Sequence, residues 1–204
     1  IGNVISYNPY YYTKSSDYGS TITKSYYGGA QGDWAKLSYR GKIGYREISN
    51  QTILLNAADV RKFELNYIDM NSVFIEATAS YSLNDIFTIG GGFQQNIFDL
   101  EDDVVAFHLP TMRYNAYTAI HLMDDNLTIR PTLAFTDKVE YINGNGDVDK
   151  LDPMLSLNVS INYTIGDHFG LFVDGKNLLS NNYAEYFGYD DVGLHVHGGI
   201  TLKF

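Results

Sequence analysis

His195 and His197 stand two residues apart near the end of the chain. On an extended strand that spacing puts both imidazoles on one face, where they could meet a metal ion or a solute. Two ligands fall short of a metal site without a third, and Asp190 or Asp191 is no more than a conceivable donor. Hydrated histidines are the plainer reading. His108 has Asp102 and Asp103 a few residues away but no obvious nucleophile, so catalysis is not expected. In NGNGDVDKLD, Asn143, Asn145, Asp147 and Asp149 occupy the alternate positions of an oxygen-rich calcium loop. The segment lacks the bidentate Glu at the twelfth position, which favours a plain Gly/Asn hairpin. Tyr183, Tyr186, Phe187 and Tyr189 crowd the segment NNYAEYFGYDD. Their rings could stack on sugars or flat chelates, or pack among themselves. No metal and no cofactor is expected.

These side chains need elements to place them, and the period of the sequence supplies strands. In LSLNVSINYTI, the odd positions from Leu155 to Ile165 are all apolar and the even positions from Ser156 to Thr164 all polar. LTIRPTLAFTDKVEY repeats the scheme with Arg130, Lys138 and Glu140 on the polar side, and TMRYNAYTAIHLM does so with Arg113 and His121. LSYRGKIGYREI sets Arg40, Lys42 and Arg46 against Leu37, Tyr39, Ile43 and Tyr45. Such alternation predicts about ten strands, near 1–14, 19–34, 36–49, 62–82, 86–98, 111–123, 127–141, 154–165, 168–180 and 192–204. Only TILLNAADVRKF, 52–63, has some helical spacing.

The connections alternate as well. Tight turns are expected at 83–85, 124–126 and 166–168, and longer polar segments at 99–110, 142–153 and 180–191. Long strands, short turns on one rim and long loops on the other are the rhythm of a transmembrane antiparallel up-and-down β-barrel. A soluble β-sandwich would show shorter strands and would not tolerate charge on nearly every polar face. The polar faces carry Arg40, Lys42, Arg46, Arg113, Arg130, Lys138, Lys176 and Lys203 against Glu64, Glu76, Glu140 and Asp174. That makes a net basic lumen, able to grip an acidic plug or guide an anionic solute, or simply charges solvating the interior. The 204 residues include 18 Tyr, 11 Phe and a single Trp, a bias that suits strands and interfacial girdles. There is no Cys, which excludes disulfides and thiolate metal sites, and the net charge of −10 argues against nucleic acid.

The segment FGLFVDGKNLLSNNY resembles the penultimate strand of TonB-dependent outer-membrane receptors, with the motif at Asn177, Leu178, Leu179, Ser180 and Tyr183. A variable loop and a Gly-containing last strand ending in Phe204 complete the resemblance, which spans the whole chain as barrel wall. It implies a 22-stranded barrel around an N-terminal plug in a Gram-negative outer membrane. Neither plug nor TonB box is present in these residues, so 1–204 is expected to be the C-terminal part of such a barrel, with a small self-contained barrel as the alternative. The implied function is TonB-dependent uptake of a scarce nutrient (siderophore, glycan or similar solute). The alternative is a passive pore or surface-binding protein. The implied partners are outer-membrane lipid and lipopolysaccharide, the barrel-assembly machinery, the plug, TonB of the inner-membrane energy complex and a small-molecule nutrient. Candidate solute contacts are Tyr183, Tyr186, Phe187, Tyr189, Arg113, Arg130, His195 and His197; Ile200, Leu202 and Phe204 form the expected assembly signal.

Overall fold

The computed structural model describes residues 11–12, 20–56, 63–100 and 105–202, and every regular element among them is a strand. In chain order these are β1 (Tyr11–Tyr12), β2 (Ile22–Trp34), β3 (Leu37–Asn56), β4 (Phe63–Ser82), β5 (Phe87–Asp99), β6 (Met112–Leu122) and β7 (Leu127–Thr136). They continue as β8 (Glu140–Ile142), β9 (Val148–Lys150), β10 (Met154–Ile165), β11 (Phe169–Lys176), β12 (Ala184–Tyr186), β13 (Tyr189–Asp190) and β14 (His195–Leu202). Nine of them form one antiparallel wall in the order β14-β11-β10-β7-β6-β5-β4-β3-β2, and β1 pairs in parallel with the start of β4. β8–β9 and β12–β13 are small hairpins inside the long loops. Among the described residues, β2 and β14 are the two edges of the wall and do not pair with each other.

Directly opposed residues in a ladder point to the same side, so the register assigns the faces. One row runs Gly41–Ala77–Phe93–Tyr114–Phe135–Leu155 across β3 to β10. The neighbouring row, one residue along, runs Lys42–Glu76–Gln94–Arg113–Thr136–Met154. Apolar and polar sides therefore alternate coherently across six strands. The apolar side is exposed: Ile43 is 56% and Ile200 68% accessible, and Trp34, Tyr39, Tyr81, Phe87 and Phe169 ring its short-turn end. Exposed leucine, isoleucine and an aromatic girdle are what lipid selects.

β3 and β4 are 20 residues each. At ~3.3 Å per residue and a ~45° tilt they rise about 45 Å, well beyond a hydrocarbon layer of ~30 Å. Their far ends therefore stand clear of the membrane. The short connections, at 35–36, 83–86, 123–126 and 166–168, lie together on the opposite rim. Each closes by local means. Asn84 Oδ1 accepts the N–H groups of Ile86 and Phe87, and Gly166 takes φ +58°.

Several boundaries differ from expectation. The strand expected over 127–141 ends at Thr136, because the alternation from Lys138 to Tyr141 continues into β8 of a loop hairpin and leaves the wall. Lys138 and Glu140 are thus not wall residues, and Glu140 pairs with Lys150 across that hairpin at 3.2 Å. β11 stops at Lys176 and β14 starts at His195, several residues inside the expected limits. The stretch with helical spacing is strand over Thr52–Asn56. A bulge between Ile48 and Gln51, with Asn50 at φ 56°, lets β3 continue beyond 49 in register with β4. The expected first strand lies mostly outside the described residues, as do Lys203, Phe204 and the side chain of Glu64.

Candidate functional site

The concave, polar side of the wall holds Arg40, Lys42, Arg46, Arg113, Arg130 and Lys176 together with Asp33, Glu76 and Asp174, as the ladder registers require. Cations outnumber carboxylates there. Glu76 is the hub: its carboxylate receives Lys42 Nζ and Arg46 Nη2, each at 2.8 Å. The Arg46 guanidinium also lies 3.7 Å from the centroid of the Phe74 ring. Phe74 is itself only 1% exposed, opposite Gly44, where a Cβ would stand 2.8 Å from Phe74 Cε1. The glycine is therefore what admits the ring. Phe74 shares the polar face with Ser72, Glu76 and Thr78, an out-of-phase aromatic in the alternation whose burial only the structure shows.

Arg40 meets Gln31 Oε1 at 3.0 Å, and the Arg130 guanidinium stacks 3.7 Å from the Tyr117 ring centroid. Both contacts hold a charge in place without neutralising it. Arg113 faces the same space and is exposed. Small residues lie between these arginines, with Gly92, Thr78 and Asn115 in one row, so the concave side has room for a bulky occupant.

His195 and His197 do share this face. Their rings stack at 6.3 Å, His197 Nε2 is 3.2 Å from Asp174 Oδ2, and His195 Nδ1 is 3.0 Å from the Gly193 carbonyl. Among the described residues no cluster of three potential metal ligands forms. The 143–149 loop is a hairpin turn in which Asn143 Oδ1 accepts the N–H groups of Asn145 and Asp147, at 2.9 and 3.1 Å. That carboxamide is occupied with shaping backbone. His121 sits at the short-turn rim, 3.1 Å from Asp125.

The long loops build a second core above the wall. Phe63, at the start of β4, stacks on Tyr189 (5.2 Å) and meets Tyr186 edge-on (5.6 Å). Tyr141 of β8 stacks on Phe187 at 4.3 Å, and Asn56 Nδ2 donates to the Phe187 carbonyl. Three of the four predicted loop aromatics are thus turned into a staple joining β12–β13 to β3, β4 and β8. Phe63 is buried in it. Burial, aided by Asp149, raises the Tyr141 phenol above its ordinary value. Burial likewise raises Tyr183, with Asp191 contributing.

The motif residues after β11 explain how this loop is anchored. Asn177 adopts φ 49°, a left-handed conformation that Asn tolerates well. Its N–H donates to Asn158 Oδ1 and its Nδ2 to the Asn181 carbonyl, both at 3.0 Å. Leu178 N–H donates to the Leu157 carbonyl, Ser180 N–H closes the turn on Asn177 O, and Asn181 Nδ2 reaches Leu155 O. Asn177 to Tyr183 thus pins the last long loop to the start of β10. Ile200 and Leu202 lie on the exposed apolar side of β14, while Phe204 is outside the described residues.

No family model matches the sequence, and no curated protein matches it. Solved structures match its fold. The copper transporter OprC superposes with a TM-score of 0.71 at 13% identity, covering 90% of this chain and 31% of its own. The FrpB iron transporter from Neisseria meningitidis gives 0.67 at 14% identity, over 90% of this chain and 31% of its own. The ferripyoverdine receptor of the outer membrane of Pseudomonas aeruginosa gives 0.65 at 16% identity, over 90% and 27%. This chain spans less than a third of the length of these proteins.

Proposed function

Proceeding from the barrel-wall fold that the chain shares with TonB-dependent outer-membrane receptors, we propose that it forms wall and outer loops of such a receptor. The receptor sits in a Gram-negative outer membrane and takes up a scarce small-molecule nutrient. The observation that carries this reading is the pair of adjacent rows, one apolar and exposed, the other charged and concave. Left open in hydrocarbon, the edges at β2 and β14 would strand backbone N–H and C=O groups at several kcal/mol each, so further strands complete the barrel. The net basic interior suits an acidic plug surface or an anionic cargo. Arg113, Arg130, His195 and His197 line the route inward. Tyr183, Tyr186, Phe187 and Tyr189 stand over its mouth and meet cargo once the loop cover yields. Ile200 and Leu202, exposed on β14, serve the assembly machinery as a signal together with Phe204.

The structural neighbours named for cargo carry metals or metal chelates, and that class is proposed here. The test uses the whole protein, expressed in cells lacking their own metal-chelate receptors, with ferripyoverdine, ferric yersiniabactin and copper ions as probes. Accumulation of one probe that requires TonB supports the receptor. Equal accumulation with and without TonB would replace it with a passive pore.

A further inference from the structure

His108 stands where two wall strands and two loop hairpins meet on the outer rim. It lies between β5 and β6, at φ 59°, and its backbone N–H donates to the Glu140 carbonyl of β8 at 3.0 Å. Its Nδ1 is 2.9 Å from the Leu54 carbonyl of β3. Because a carbonyl only accepts, that nitrogen carries the proton. The ring meets Phe63 of β4 edge-on at 5.9 Å and Tyr186 of β12 at 5.1 Å. One imidazole therefore ties the β12–β13 hairpin, between the last two wall strands, to β3 and β4 on the far side of the mouth. The other nitrogen, Nε2, is fully buried with no hydrogen-bond partner among the described residues. As a bare lone pair it costs no more than an unsatisfied neutral acceptor. As a protonated N–H it would bring an unsatisfied donor and a full charge into the same place.

We propose that His108 is a proton-operated latch: neutral, it holds the last outer loop across the mouth, and protonated, it lets that loop go. The neighbouring charges give the freed imidazolium a destination. Arg113, Asp137, Asp152 and Glu185 line the recess beside it. Asp137 is engaged by Thr111 and the Lys138 N–H, and Glu140 by Lys150, which leaves Asp152 and Glu185 as the carboxylates towards which the imidazolium turns. Arg113 opposes a second cation in the recess. Burial holds the imidazole below its ordinary value, against a smaller opposing effect of the Leu54 hydrogen bond. The closed state is thus fully favoured above the ordinary imidazole value of ~6.5 and is lost as pH falls through the lower folded value.

The 204 residues contain no Cys, so with any Cys elsewhere in the whole protein replaced, spin labels at Ser49→Cys on the wall and Asp190→Cys on the hairpin report the latch. In the whole protein, one narrow distance is expected at about pH 8 and a second, longer population by about pH 4.5, reversibly, on either side of ordinary imidazole titration. His108→Asn keeps an amide nitrogen near the Nδ1 position, tolerates the left-handed backbone and does not titrate. It is expected to stay narrow at both pH values. A wild type unchanged over this range, or a variant that opens at the same pH, overturns the latch. The distance readout is independent of uptake, so failure of the transport reading would leave a separate record.

Discussion

The two rims of the wall are built by opposite means. On the short-turn rim the connections close within themselves or on the adjacent turn: Asn126 N–H and Nδ2 both donate to Met123 O within one four-residue turn, Gly166 turns on its own φ, and Lys36 Nζ reaches the Leu83 carbonyl of the neighbouring turn. On the long-loop rim the small hairpins are local, but what joins them to one another and to the wall is not. Asn56 and Phe187, 131 residues apart, share a hydrogen bond, and Phe63 is buried by rings from the last loop. Local turns set strand register cheaply and survive whatever fills the barrel. A rim assembled from distant contacts can come apart as a unit, which is what a gated mouth needs.

The same contrast decides what was legible in the sequence. Period two is a local signal, so the wall and its faces could be read, including 63–82 as one strand and the shared face of His195 and His197. Local alternation cannot tell a wall strand from a loop hairpin, which is why Lys138 and Glu140 were placed on the wall. Nor can it reveal that Tyr186, Phe187 and Tyr189 find their partners at Phe63 and Tyr141. Those contacts exist only after the wall has brought β4 and the last loop over the same space.

The largest expected effect separates the rims directly. Phe63→Ala removes a buried ring from the outer core and should cost about 3–5 kcal/mol of local stability. Hydrogen exchange is expected to accelerate in 105–111, 140–150 and 184–190 while the wall strands stay protected. Uniform acceleration would mean that the rims are not independent. Asn177→Ala should cost about 2 kcal/mol, from a lost Nδ2 hydrogen bond and a left-handed residue without a tolerant side chain. The change should appear as faster exchange in 177–191, and its absence would show that the motif does not anchor the loop. Gly166→Ala, with nothing within 4 Å of the added methyl, tests backbone strain alone and should cost about 1 kcal/mol. Its effect should stay within the β10–β11 turn, leaving the outer loops unchanged.

The sidedness of the wall remains the claim on which transport depends, and nitroxide labels scanned singly from Leu155 to Ile161 test it in the whole protein in liposomes. At 155, 157, 159 and 161 collisions with oxygen, which concentrates in lipid, should dominate, while 156, 158 and 160 should respond to a water-soluble nickel chelate. A period-two exchange between the two relaxants is the expected result. Odd positions shielded from both reagents would place those side chains inside a protein core and contradict a lipid-facing wall.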